Sequence, residues 1–184
     1  MSVKRLVMHH IGFKRMYCSE YIEECLQKLQ RRIDVAYDGL NPEHQEALRM
    51  LWDVSFPEEE LHGLISEQWK EMGWQGKDPS TDFRGAGMIS LENLLFFART
   101  YPKREGDRTL WEYPFAVAGV NITFMLLQML DLEAVKPRTM MGAVFCKLLS
   151  ENELAFDILY CNRTLKYMHG NFFYFSLIFL FVYL

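Results

Sequence analysis

No CxxC pair and no Cys/His spacing suited to zinc occurs in this chain. Its four cysteines, Cys18, Cys25, Cys146 and Cys161, therefore read as reduced thiols of a cytosolic protein. A basic block is missing as well, and the net charge is −4, which argues against a nucleic-acid surface. The first residues, "MSVKRLVMHHIGF", are positive but lack the roughly 7–15-residue apolar run of a signal peptide. The sequons at Asn121 and Asn162 then read as chance matches. Catalytic signatures are equally scarce. "GWQGK" has two residues between Gly73 and Gly76 where a phosphate loop needs about four, and Asp78 follows Lys77 where a hydroxyl is required. There is no GxSxG, no HExxH and no dinucleotide fingerprint. His44, His62 and His169 stand alone, and the His9-His10 pair reads as solvated. No metal or cofactor is expected.

Strand-like alternation is absent too, and helical periodicity takes its place. The expectation is an all-α, single domain of about seven or eight helices; 184 residues suffice to bury its core. Ile22, Cys25, Leu26, Leu29 and Ile33 recur at helical spacing from Ser19 to Tyr37, with Gly39 as the stop. Asn41-Pro42 opens a second helix to about Trp52, as N-cap and first-turn proline. Ser55 and Glu58 have capping-box spacing before a third, with a stripe of Leu61, Leu64, Ile65 and Trp69 and a stop at Gly73. Leu91, Leu94, Leu95 and Ala98 mark another. Tyr113 to Leu132 is apolar nearly all round, which suits a central buried helix better than a membrane span, with Asn121 buried and its amide paired. Short helices follow from Thr139 to Leu149 and after the Ser150/Glu153 box. The last stretch, "NFFYFSLIFLFVYL", reads as a core helix, a tail anchor or an altered terminus.

One stretch stands apart from this pattern. Residues 73–88 show no periodicity and hold Gly73, Gly76, Pro79, Gly85 and Gly87. A loop this long inside a compact domain is usually functional. Its centre, "DPSTDFRGAG", sets Arg84 between Asp82-Phe83 and two glycines. Either Asp82 and Arg84 pair with each other or cap neighbouring helices, or Arg84 offers a guanidinium to a partner's phosphate. The second role requires a permanently charged, planar donor on an exposed loop between rigid helices. Trp69 and Trp74 flank the stretch as core anchors or as partner contacts, with the core favoured.

The run "WKEMGWQGKDPSTDFRGAGMISLENLLFFA", with "EGDRTLWEYPFAVAGVNITFMLLQMLDLEAVKPRT" and "AFDILYC", resembles the ELMO (engulfment and cell motility) domain family, most closely its plant members. The likeness covers roughly Leu40 to Cys161. It divides the chain into an N-terminal extension and first helix (1–39), the domain (40–161) and a divergent hydrophobic tail (162–184). The resemblance implies an all-α fold. In the ELMOD branch it implies GTPase-activating action on Arf-family small GTPases, Arf-like ones included, with Arg84 as the finger-like residue supplied to the partner. The motif's Trp69, Gly73, Trp74, Gln75, Pro79, Thr81, Asp82, Phe83, Gly85, Gly87 and Asn93 are its expected motif or partner-binding positions. Such a protein activates a partner's hydrolysis and has no substrate of its own. It works in the cytoplasm and meets membranes indirectly through the GTPase, with the 172–184 tail as the secondary alternative. The alternative is a non-catalytic interaction or scaffold module, as in the larger ELMO proteins that partner a DOCK-type Rac exchange factor, or a truncated inactive isoform. This chain has no room for the armadillo, PH and proline-rich regions of those scaffolds. Compared with the family, the connector between Tyr101-Pro102-Lys103 and Glu105-Gly106-Asp107 is shortened. The sequence after Cys161 also differs, both as altered splicing or a different gene model would leave them.

Overall fold

The structure, a computed structural model, describes residues 20–102 and 114–168. These residues form eight helical segments and no strand. They are α1 (Glu20–Ile33), α2 (Pro42–Ser55), the 3₁₀ segments η1 (Glu67–Met72) and η2 (Pro79–Gly85), α3 (Gly87–Thr100), α4 (Phe115–Leu130), α5 (Met140–Glu151) and α6 (Ala155–Met168). The all-α reading is what is found.

Helix starts follow local chemistry. Asn41 accepts from the Glu43 amide, with Pro42 at the first helical position of α2. Thr139 accepts from the Gly142 amide to open α5. Acidic Glu20 and Glu23 begin α1 while Arg31 and Arg32 end it, each sign matched to the helix dipole.

Three boundaries differ from the sequence reading, each because a side chain or a distant backbone group claims a backbone atom. First, α1 stops at Ile33, well before Gly39. Val35 carries its carbonyl to the Met88 amide (2.8 Å), and the Asp38 amide donates to His44 Nδ1 (2.9 Å), so residues 34–38 leave the helix. Second, no α-helix begins at Ser55, whose hydroxyl donates to Leu51 O inside α2. Residues 56–66 are irregular, because Trp52 Nε1 donates to Glu59 O (2.8 Å) and Trp69 Nε1 to Leu64 O (3.1 Å). The Gln68 amide group bonds His62 N and Glu60 O from its own side chain. Ser66 is the cap actually used, for η1. Third, Ser150 lies within α5, and Asn152 caps the entry to α6 through the Leu154 amide.

The hub is α3, which packs against α1, α2, α4, α6 and η2. Ile89, Leu91 and Leu94 are wholly buried, as are Ser90 and Asn93. The apolar α4, expected at the centre, instead leaves one face open. Asn121, Phe124, Met125 and Gln128 are exposed on it. The expectation of a buried, paired Asn121 is thus overturned, because that residue faces outward. The buried polar residue of α4 is Thr123, which receives Asn93 Nδ2 (3.0 Å) and donates to Gly119 O (3.1 Å). Among the described residues no helix is long and apolar enough to cross a membrane. Residues 162–168 continue α6, with Thr164 and Met168 buried. The readings made for Phe172 to Leu184, for the connector after Pro102 and for Cys18 lie outside the described residues. Cys25, Cys146 and Cys161 are buried free thiols; burial pushes Cys146 and Cys161 up to about 12, so both act as small core residues.

Gly73 and Gly87 are required by close backbone approaches at positive φ. Gly73 (φ +89°) ends η1, and a Cβ there would lie 2.6 Å from the Pro114 carbonyl carbon. Gly87 (φ +64°) opens α3, and a Cβ there would lie 2.7 Å from Val35 O. Gly39 meets nothing closer than 3.8 Å. Gly73→Ala and Gly87→Ala are therefore expected to cost about 2 kcal/mol or more each, through left-handed backbone and steric displacement. Gly39→Ala should change stability little. Urea midpoints at unchanged slope measure the three; equal midpoints would contradict this packing.

Candidate functional site

Residues 73–87 are built as a short scaffold instead of an open loop. Asp78 turns the chain by accepting from the Ser80 amide (3.0 Å), Pro79 presets the first helical φ, and Thr81 Oγ1 donates to Asp78 O. An aromatic bolt helps hold it to the body. Phe83 is buried with its ring edge-on to Trp74 (5.1 Å between centroids) and tilted against Tyr37 (4.6 Å). Tyr37 in turn stacks on His44 at 5.6 Å. The isolated His44 is thereby explained as a structural residue.

The 3₁₀ period of about three residues per turn sends neighbours to different sides. Asp82 is half-buried and Phe83 interior, whereas Arg84 is exposed. The Asp82–Arg84 pair considered from sequence does not form. Asp82 faces the backbone amide of Gln75, and its Oδ2 is buried without a hydrogen-bond partner. Burial raises the Asp82 pKa above the usual carboxylate value; the Gln75 amide opposes that shift and the Asp78 charge adds to it. Arg84 makes no hydrogen bond or ion pair among the described residues. Its side chain is exposed, and Asp82 does not neutralise it.

The other motif positions divide by burial. Trp69, Trp74, Pro79, Phe83 and Asn93 lie in the interior and build the segment, so they are framework and not contact surface. Gln75, Thr81, Arg84 and Gly85 are exposed, and Gly73, Asp82 and Gly87 are half-buried. Beside Gly85 lies a residue that sequence reasoning missed: a Cβ on Gly85 would be 4.0 Å from the ring of Phe124. Phe124 and Met125 are 45% and 52% exposed. Their signal was present in the sequence. Asn121 and Gln128 bracket them at the i, i+3, i+4, i+7 spacing of one helix face.

Residues 27–169 match the ELMO/CED-12 family. The chain belongs to that family. It is 33% identical over 142 residues to human ELMO domain-containing protein 2, covering 74% of this chain and 45% of that protein. It is 31% identical over 159 residues to mouse ELMO domain-containing protein 1, covering 74% and 46%. ELMO domain-containing protein A of Dictyostelium discoideum is 39% identical over 113 residues, covering 58% and 12%. The chain thus spans less than half the length of these relatives. No solved structure matches it. The ELMO match takes in the whole Arg84 segment, α3, and the described residues of α4 to α6.

The Asp82 geometry gives a pH test. A carboxyl whose pKa is raised by folding favours the protonated form. Its stabilising contribution is present below the ordinary value of ~3.9 and is lost as pH rises through the raised value. Asp82→Asn keeps an acceptor for the Gln75 amide and removes the charge. Its melting temperature should therefore exceed that of the parent near neutral pH, and the difference should shrink toward zero below about pH 4. A variant less stable than the parent at neutral pH would show that the ionised carboxylate is a net stabiliser.

Proposed function

We propose that this ELMO domain is a GTPase-activating regulator of Arf-family small GTPases, Arf or Arf-like, and that Arg84 is the residue it supplies to the partner's active site. One observation carries the reading: an arginine on a short, bolted helical turn, exposed and without a partner among the described residues. A guanidinium offered in trans must be permanently charged, planar and unneutralised until it meets the transferring phosphate. An arginine already paired to Asp82 would have to break that contact first. Membership of the ELMO/CED-12 family, with relatives named as ELMO domain-containing proteins, supports the same reading. Such a regulator has no substrate of its own. It works in the cytoplasm and reaches membranes through its GTPase. The rate gain comes from charge stabilisation in the transition state, so Arg84 contributes to turnover more than to affinity.

The test is GTP hydrolysis by a panel of Arf-family GTPases with the parent chain, Arg84→Lys and Arg84→Ala. Both variants should lose stimulation by on the order of 10³-fold, because one ammonium cannot span two phosphate oxygens as the guanidinium fork does. Affinity for the GTP-loaded partner should fall far less. Unfolding free energy should stay within about 0.5 kcal/mol of the parent, since Arg84 is exposed and makes no ion pair or hydrogen bond among the described residues. A folded Arg84→Ala protein with full stimulation would leave a binding module without catalytic effect.

A further inference from the structure

We infer that the exposed face of α4, centred on Phe124 and Met125, is the docking surface that seats the GTP-loaded GTPase beside Arg84. The inference rests on the reading of Arg84 just given. An exposed arginine that acts mainly in the transition state contributes little to ground-state affinity, so binding has to come from surface next to it. Only a short step separates the two: η2 packs on α4, and Gly85, adjacent to Arg84, lies against the Phe124 ring.

The face has the anatomy of an interface. Asn121, Phe124, Met125 and Gln128 form one stripe along the helix, with the apolar pair in the middle and an amide at either end. An apolar centre inside a polar rim is the common arrangement of protein–protein contacts, and aromatic residues, Met and Arg are the types enriched there. The stripe borders a groove of about 490 Å³ between α4 and α6, with Ala118 and Ile122 on one wall and Arg163 and Lys166 on the other. Arg84 on η2 therefore stands beside the apolar pair. This arrangement suits a partner surface that is apolar at its centre and carries a nucleotide phosphate at its edge. A GTP-loaded GTPase presents both to a single face.

Rate and affinity should then separate by residue. Phe124→Ala and Met125→Lys in the full chain are expected to fold, since both side chains are about half exposed; melting temperature checks this. Each should weaken binding to Arf-family GTPases loaded with a non-hydrolysable GTP analogue by about tenfold. Stimulation at saturating concentration should stay within about twofold of the parent. Arg84→Ala should show the reverse, with lost rate and near-parental affinity. Folded Phe124→Ala and Met125→Lys proteins that bind like the parent would overturn the docking surface while leaving the role of Arg84 intact. Weakened binding in these variants, together with full stimulation by Arg84→Ala, would do the opposite. No binding of any panel member by the parent chain would remove both. A change confined to self-association in sedimentation, or to co-sedimentation with anionic phosphatidylserine vesicles, would assign the face to a second copy or a membrane, against the inference.

Discussion

The placement of Arg84 depends on two points where backbone lies against backbone with no room for a side chain. At Gly73 the chain leaving η1 presses on Pro114, which leads into α4, and at Gly87 the chain entering α3 presses on Val35, just beyond α1. The second contact is also a hydrogen bond, from the Met88 amide to Val35 O at 2.8 Å. Between these points lie residues 74–86, and η2 with its Phe83 bolt takes up the second half of them. The position of the guanidinium is therefore inherited from α1 and α4, elements far from it in sequence. Rigid support of this kind is what positional catalysis requires, because small displacements of a reacting or stabilising group are costly in rate.

The body behind the segment is held by polar as well as apolar contacts. Arg32 at the end of α1 reaches Glu92 on α3 (Nε to Oε2, 3.0 Å) and Asp157 on α6 (NH2 to Oδ1, 2.9 Å). Asp157 is almost wholly buried, so its charge has little water to fall back on. Removing one partner from such a site is expensive, about 3–5 kcal/mol where the pair is fully buried, and less here because Arg32 is partly exposed. The clamp joins three helices at one residue, two positions from where the chain leaves α1 toward the Val35 contact. Deeper in, Asn93 and Thr123 tie α3 to α4, directly beneath the face that carries Phe124 and Met125. The wide apolar core sets the compactness of the domain, while these few polar ties set the register of α3 against its neighbours.

What the sequence allowed one to read, and what it hid, divides along the same line. Asn41-Pro42 and Gly73 act on their own neighbours, so the cap and the stop were legible from spacing alone. The irregular run before η1 was not. Leu61, Leu64 and Ile65 look like a helical stripe, yet Ile65 is exposed, and the carbonyls a helix would need are held by the indoles of Trp52 and Trp69. The end of α1 was hidden for the same reason, since Val35 answers to Met88. In α4 the difficulty was saturation. A helix apolar nearly all round gives no sign of which side is open, and only Asn121 and Gln128 hinted at it. The Arg84 segment was visible as a cluster of glycines around a charge, whereas the direction of that charge required the 3₁₀ geometry.

That geometry decides between an available and a neutralised arginine. On an extended strand, residues two apart share a face, and Asp82 would have met Arg84. A 3₁₀ turn separates them by about two-thirds of a revolution, and the outcome is asymmetric. The aspartate goes inward, half-buried, with one oxygen unsatisfied and its proton affinity raised; the arginine goes outward with its full charge. The stability forgone is small, because an exposed ion pair is worth about 0–1 kcal/mol. A guanidinium that Asp82 does not neutralise gains more in return: its attraction for a phosphate is not offset by breaking that contact. A local choice of helix type, set by Asp78, Pro79 and the two pinned glycines, thus turns an ordinary Asp-x-Arg sequence into an exposed cation beside an apolar helix face.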